Sequence, residues 1–419
     1  MIVYFYWQNI CIIQKKAVIL RTNLKFNCKF VQIIFNNMYF RALQPHILNV
    51  ISQFPVLSIT GPRQSGKTTL CKMLFPDYDY YNLETDQDFE LLSQNTHDFL
   101  RMERRGLIID EAHNLPKLFS EVQVAVDEDD SRRIVLSGSS NFLMMQSISQ
   151  SLAGRAAIVR LLPLSLDELG EDAKTNTDTL IYRGFYPAIW GKGRDVNEVY
   201  NTYFTTYIQR DVQQIVNVKD LRQFRRFVQL CATRVGQEFV ASSIADELAI
   251  SIHTVNSWLS VLEASYITFM LAPYSHNIGK RIVKTPKLYF YDTGIVCYLL
   301  GLKSPEDVHN SFMRGALFEN MVVANMMKNR YNTGMSNVDL YFYRDKSQKE
   351  VDVVEELAYP NVQIFEIKSA TGIKSDFFRN MDYFRKIYGD AVVSSQLIYD
   401  GDHEMDMPNN GFINFRHVK

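Results

Sequence analysis

The chain has 419 residues, 47% hydrophobic and 22% charged, with a formal net charge of −1. That length provides for two to four domains at roughly 100–200 residues each, and the near-zero charge excludes bulk electrostatics as a source of nucleic-acid affinity, so such a partner must meet a local basic patch. The five cysteines, Cys11, Cys28, Cys71, Cys231 and Cys297, form no CxxC pair, which argues against a disulfide framework or a zinc site and for a reducing, cytoplasmic setting.

Residues 1–37 carry five Lys/Arg and no Asp or Glu. Their opening apolar run, 1–14, is too short to span a bilayer and has no basic residues ahead of it. They read either as a basic presequence or as a stretch upstream of a natural start at Met38, the reading preferred. Three blocks follow: 38–172 alternates strands with helical stretches, 173–304 is mostly helical with an apolar hairpin-like stretch at 287–300, and 305–419 returns to α/β.

In the first block the apolar strand 56–60 runs directly into Gly61-Pro62-Arg63-Gln64-Ser65-Gly66-Lys67-Thr68, followed by Thr69 and an apolar helix. This is GxxxxGK[ST] between a strand and a helix. Its backbone N–H groups and the helix N-terminus cradle phosphate, Lys67 reaches the β/γ oxygens, and the Thr68 hydroxyl ligates Mg²⁺. ATP with Mg²⁺ is the expected ligand.

A strand at 80–83 comes next, then the apolar run Leu107-Ile108-Ile109 ending in Asp110-Glu111. Two carboxylates at the C-terminal end of a buried strand sit where α/β sheets bind ligands. Asp110 is expected in the Mg²⁺ shell and Glu111 as the base that orients water. The strand 133–137 ends in Gly138-Ser139-Ser140-Asn141, where Ser139, or failing it Asn141, would sense the γ-phosphate. After the helix 142–152 comes Arg155, which as a finger would serve a neighbouring subunit in a homo-oligomer; a surface arginine is the plain alternative.

GPRQSGKTTL, LIIDEAHNLP, LSGSSNFLM and SLAGR resemble the AAA-type ATPases of bacteria and archaea whose C-terminal half is similar to a PD-(D/E)XK nuclease. The resemblance covers about residues 38–400. It implies an ASCE-type nucleotide domain, a start near Met38, and a restriction-endonuclease-like tail. Arg183-Gly184-Phe185-Tyr186-Pro187 and residues 207–211 also match that pattern, with a structural role expected for both.

In the second block, residues 242–248, a turn at 249–251 and residues 252–262 read as a helix-turn-helix with Ile244, Leu248, Val255, Leu259 and Leu262 inward. A candidate wing, 271–291, follows. The second helix lacks Arg and Lys, so base reading is not expected. Arg222, Arg225 and Arg226, and on the wing Lys280, Arg281, Lys284 and Lys287, suit phosphate contacts. A winged module used for protein packing is the alternative.

In the third block, strands at 340–344, 351–354 and 362–368 precede an amphipathic helix, 375–388. Side chains alternate along a strand, so Glu366 and Lys368 share a face. With Asp352 on the neighbouring strand they would form the Asp-x13-Glu-x-Lys arrangement of a PD-(D/E)XK nuclease, the carboxylates holding a metal and the lysine orienting water. Glu319, in the helix 315–328, matches the helical glutamate such nucleases place near the metal.

The expectation is an α/β chain: a P-loop ATPase domain, a helical winged-helix middle and a restriction-endonuclease-like tail. ATP turnover would be coupled to DNA binding or metal-dependent DNA cleavage, through basic patches and without a membrane. A nucleotide-dependent switch whose tail binds DNA or a protein without cutting is the alternative. A metabolic kinase is disfavoured because no acceptor site is evident.

Overall fold

Apolar strands that read as continuous hydrophobic runs need cover on both faces, and the first sheet meets that demand. The computed structural model describes residues 39–139, 141–207, 221–275, 285–335 and 339–418, without the side chains of 141–143 and 207. Strands β1 (Val56–Thr60), β2 (Asp79–Asn82), β3 (Leu107–Asp110), β4 (Ile134–Gly138) and β5 (Ala156–Arg160) form a parallel sheet in the order β2-β3-β4-β1-β5. Alternation sends Val56, Leu107, Ile109, Ile134 and Leu136 to one face, against the helices Asp86–Arg101, Lys117–Glu128 and Asn141–Ser151. Leu57, Ile59, Ile108, Val135 and Val159 go to the other, against Gln44–Gln53 and Lys67–Leu74. In space it is β4 that separates the P-loop strand from the Asp110 strand, while β2 pairs at the far edge of β3.

The helices Ala241–Leu248 and Ile252–Ala264 meet across a tight turn, with Ala249 in the left-handed region at φ +54°. Their five expected inward residues are all buried. Strands β6 (Thr268–Leu271) and β7 (Lys287–Phe290) then pair antiparallel. The stretch expected to be a hairpin is β7 followed by a helix, Thr293–Leu300, whose start is capped by Asp292 accepting the Ile295 N–H. Short apolar runs do not distinguish strand from buried helix by periodicity, and the cap decides it.

The last sheet, in the order β12-β11-β10-β9-β8, comprises β8 (Leu340–Arg344), β9 (Glu350–Glu356), β10 (Val362–Lys368), β11 (Val392–Tyr399) and β12 (Gly411–Asn414). β8, β9 and β10 are antiparallel; β11 joins β10 in parallel, as β12 joins β11. Met381 and Phe384 of the helix Arg379–Tyr388 cover one face with Tyr274.

The 19-residue helix Arg314–Asn332 ties the regions together through buried polar side chains. Asn320 accepts from Phe290 N and donates to Phe290 O, Asn325 accepts from Leu166 N, and Lys328 donates to Leu164 O. Each satisfies a backbone group that burial would otherwise strand. Arg314 pairs with both Asp178 and Asp400. Arg41–Lys419 forms one compact unit, and among the described residues no helix is long and apolar enough to cross a membrane.

Candidate functional site

The loop between β1 and the helix Lys67–Leu74 wraps backward over the end of the sheet. Gly61 is required by close approach, since a Cβ there would lie 2.2 Å from Leu161 O, and Gly66 turns left-handed at φ +97° to start the helix. Arg63 lies 3.9 Å from Glu84 Oε1, Gln64 is exposed at φ +62°, and Thr69 is exposed on the first helical turn. Pro62 and Ser65 are buried.

Lys67 donates to Gly61 O at 3.0 Å and Pro62 O at 2.9 Å, so its ammonium rests inside the loop. Burial lowers its pKa, against the opposing pull of Glu111 and Asp110. Behind the loop lies a residue the sequence reading passed over. Arg41 is buried and donates to Ser65 O at 2.7 Å, to Leu162 O at 2.6 Å and to Glu168 Oε1 at 3.0 Å. Glu168 also completes a capping box with Ser165. No motif marks Arg41; its partners are 24 to 127 residues away in the chain.

At the end of β3, Thr68 Oγ1 donates to Asp110 Oδ2 at 2.6 Å and Tyr80 OH to the same oxygen at 2.9 Å; Ser137 Oγ donates to Oδ1. The oxygens of Thr68 and Asp110 converge as hard donors suited to Mg²⁺. Glu111 follows with φ +52°, which swings its carboxylate away from the strand. There it accepts from Ser139 N at 3.0 Å and Ser139 Oγ at 3.2 Å, with His113 Nδ1 3.2 Å away. The structure thus brings Lys67, Thr68, Asp110, Glu111 and Ser139 together. Ser140 and the side chain of Asn141 lie outside the described residues. Arg155 is half-exposed and pairs within its own chain, Nε 2.5 Å from Asp127 Oδ1 and Nη2 2.9 Å from Oδ2.

A second cluster sits on β9 and β10. The antiparallel register runs to Phe365↔Val353, and the Ile367 N–H beyond it donates to Asp352, which brings Asp352 beside Glu366. Lys368 Nζ lies 2.7 Å from Glu366 Oε1 and 3.5 Å from Asp352 Oδ2, which also accepts from Ile367 N at 2.7 Å. Asp352 and Glu366 are only 6% and 4% exposed, and Glu366 Oε2 is buried without a partner. Burial and the Asp352 charge push the Glu366 carboxyl up to about 8. Burial works against the Lys368 ammonium, yet the two carboxylates together hold its pKa above the usual lysine value.

Glu319 belongs to a neighbouring triad. It accepts from Tyr289 OH at 2.6 Å and pairs with Lys287 at 3.3 Å, while Lys287 reaches Glu350 at 2.6 Å. Lys287 is therefore not a surface phosphate contact as expected: it is 3% exposed and neutralises two carboxylates. Among the described residues no three His, Cys, Asp or Glu side chains are grouped as a metal site. Asp352 and the orphaned Glu366 oxygen offer two donors; the third expected donor is turned to Lys287.

Arg222, Arg225 and Arg226 are exposed along the helix Leu221–Thr233. Lys280, Arg281, Lys284 and the segment 208–211 lie outside the described residues, as do Cys11 and Cys28; Cys71, Cys231 and Cys297 are free and buried. The 183–187 motif is anchored by buried contacts. Phe185 N donates to buried Asp292 at 2.6 Å, Tyr200 OH donates to the same carboxylate at 2.8 Å, and Arg183 stacks 4.0 Å over Trp190.

Residues 174–306 and 314–417 match two families described as domains of unknown function, DUF8612 and DUF4143, and residues 53–170 match an AAA domain. Uncharacterized proteins of Mycobacterium tuberculosis and Mycobacterium bovis are each 29% identical over 377 residues, covering 88% of this chain and 81% of theirs. One of Methanocaldococcus jannaschii is 23% identical over 331 residues, 70% of either chain. Among solved structures, a Walker-type ATPase of Pyrococcus abyssi aligns with a TM-score of 0.41 and 15% identity, covering 62% of this chain and 96% of that one. The AAA-domain match, on a parallel sheet that carries a complete phosphate loop, makes residues 53–170 a P-loop ATPase-type domain.

Proposed function

We propose that the chain binds ATP and hydrolyses it, and that turnover controls a tail that engages DNA. The observation that carries the ATPase reading is the convergence of Lys67, Thr68, Asp110, Glu111 and Ser139 at the phosphate loop and the ends of β3 and β4. Incoming β- and γ-phosphates replace Gly61 O and Pro62 O as partners of Lys67, and the loop N–H groups take the phosphate oxygens. Mg²⁺ bound with the nucleotide would be held by Thr68 and Asp110 and would neutralise charge across the β- and γ-phosphates. Glu111 leaves Ser139 to orient and deprotonate water, and Ser139, so released, faces the γ-phosphate. Phosphate release from full-length protein with Mg²⁺-ATP is expected in the wild type. Lys67→Ala should lose nucleotide binding, because no other ammonium replaces the one that meets the phosphates.

For the tail, the facing Asp352, Glu366 and Lys368 favour a reading as a metal-dependent DNA-cleaving site, with Arg222, Arg225 and Arg226 as phosphate contacts. The engagement of Glu319 by Lys287 favours the alternative, a tail that binds without cutting. Plasmid DNA with Mg²⁺ or Mn²⁺ separates them. Cleavage lost in Asp352→Ala and Lys368→Ala, with ATPase activity retained, supports cutting; intact plasmid with retained DNA binding supports the switch.

A further inference from the structure

Between the end of β5, the helix Ile252–Ala264, the β6/β7 pair and the helix Arg314–Asn332 lies an open cavity of about 400 Å³. That is within the range of roughly 300–1,000 Å³ usual for small-ligand sites. Its walls include Tyr266, Tyr291, Tyr331 and Tyr341, and its charged groups are Arg160 and Glu263. Both are half-buried, and among the described residues neither makes an ion pair, with the other or with any third group. Two opposite charges in one cavity that do not meet leave a gap for a molecule to bridge. Arg160 is steadied by its 4.9 Å contact over the Tyr331 ring and by the Tyr331 and Tyr266 hydroxyls, neutral partners that leave its charge unpaired. Thr268 Oγ1, buried in the same wall, has no hydrogen-bond partner. Burial also raises the Glu263 carboxyl above its usual range, a cost that a donor from a ligand would relieve.

We propose that this cavity binds a nucleotide unit, with phosphate on Arg160, base against the tyrosine rings and a base amino group on Glu263. A planar guanidinium is the side chain suited to phosphate oxygens, and an aromatic ring stacks any base through its π-face. A free mononucleotide and the end of a strand share this chemistry. The occupant would touch Tyr266, whose hydroxyl lies 2.8 Å from Thr60 Oγ1. Thr60 is the last residue of β1 before Gly61, so binding here reaches the strand that carries the P-loop. The cavity shares no residue with the phosphate loop or the tail cluster, and the inference stands whatever the tail does.

The test uses full-length Lys67→Ala protein, in which the P-loop no longer competes. It is titrated calorimetrically with AMP, GMP, CMP and UMP, and with 5′-phosphorylated dinucleotides of the same bases. Saturable binding of at least one probe is expected, with UMP weakest because it has no amino group. The affinity should fall about tenfold or more, or about 1.4 kcal/mol, in Arg160→Gln or in the near-isosteric Glu263→Gln, at unchanged melting temperature for the latter. Binding of mononucleotides identifies a free nucleotide as the source; binding of dinucleotides alone identifies a strand end. No saturable binding of any probe, UMP binding as tightly as the others, or binding that neither substitution weakens would overturn the proposal.

Discussion

Among single residues, the P-loop is braced from behind by one that belongs to no motif. Arg41 donates to Ser65 O and Leu162 O from behind the loop and holds Glu168, with both charged groups buried. Removing one partner of a buried ion pair strands the other, at a cost of about 3–5 kcal/mol. Arg41→Ala should therefore lose that much unfolding free energy in urea titration and bind ATP more weakly. The double change Arg41→Met with Glu168→Gln should lose less, since no charge is left buried. Lys67, Thr68, Asp110 and Glu111 were legible in the sequence because local order alone places them, strand before loop before helix. Arg41 was not, because its role arises only from contacts made far along the chain. Lys287 was misread for the same reason: a lysine in an apolar strand reads as a surface charge until Glu319 and Glu350 are brought to it.

At the scale of elements, the helix Arg314–Asn332 shows how polar groups can set a core. Its inward Asn320, Asn325 and Lys328 find partners on backbone groups of residues 164–166 and 290, which lie far from them in the chain. Strands β8 and β10 carry the bounds expected of them, while β11 and β12 went unread. Alternation along β10 made the shared face of Glu366 and Lys368 legible, whereas Asp352 joins them only through the pairing of β9 with β10. Lys328 provides a pH test. Burial lowers its pKa from 10.5 to about 8. Between those values the unfolded chain binds the proton that the folded chain has released, so stability rises with pH across that window. Relative to Lys328→Met, the wild type should gain stability from pH 8 to pH 10, read as converging or crossing denaturation midpoints. A difference that is flat in pH, or that moves the other way, would contradict a depressed lysine.

For the whole molecule, the expectation at Arg155 is that it serves a neighbouring subunit. It is held by Asp127 of its own chain, so service to a neighbouring γ-phosphate requires release from that partner. Solvent and salt screen an exposed pair of this kind, so it holds Arg155 only weakly. If Arg155 acts across an interface, Arg155→Ala subunits mixed with Glu111→Gln subunits should recover part of the ATPase rate that neither has alone. No recovery, with mixing demonstrated, would leave Arg155 as a surface residue of its own chain.

On the proposed function, Glu111 is the base of an ATP-hydrolysing site, parked on Ser139 until nucleotide arrives. The most direct test is Glu111→Gln, measured for nucleotide affinity and for phosphate release on the same preparation. The amide keeps the size of the side chain but cannot take a proton. ATP should therefore bind with an affinity near that of the wild type while turnover falls by about 10²–10⁴-fold, the usual contribution of a positioned base. Turnover close to the wild-type rate, or loss of ATP binding together with turnover, would contradict the assignment.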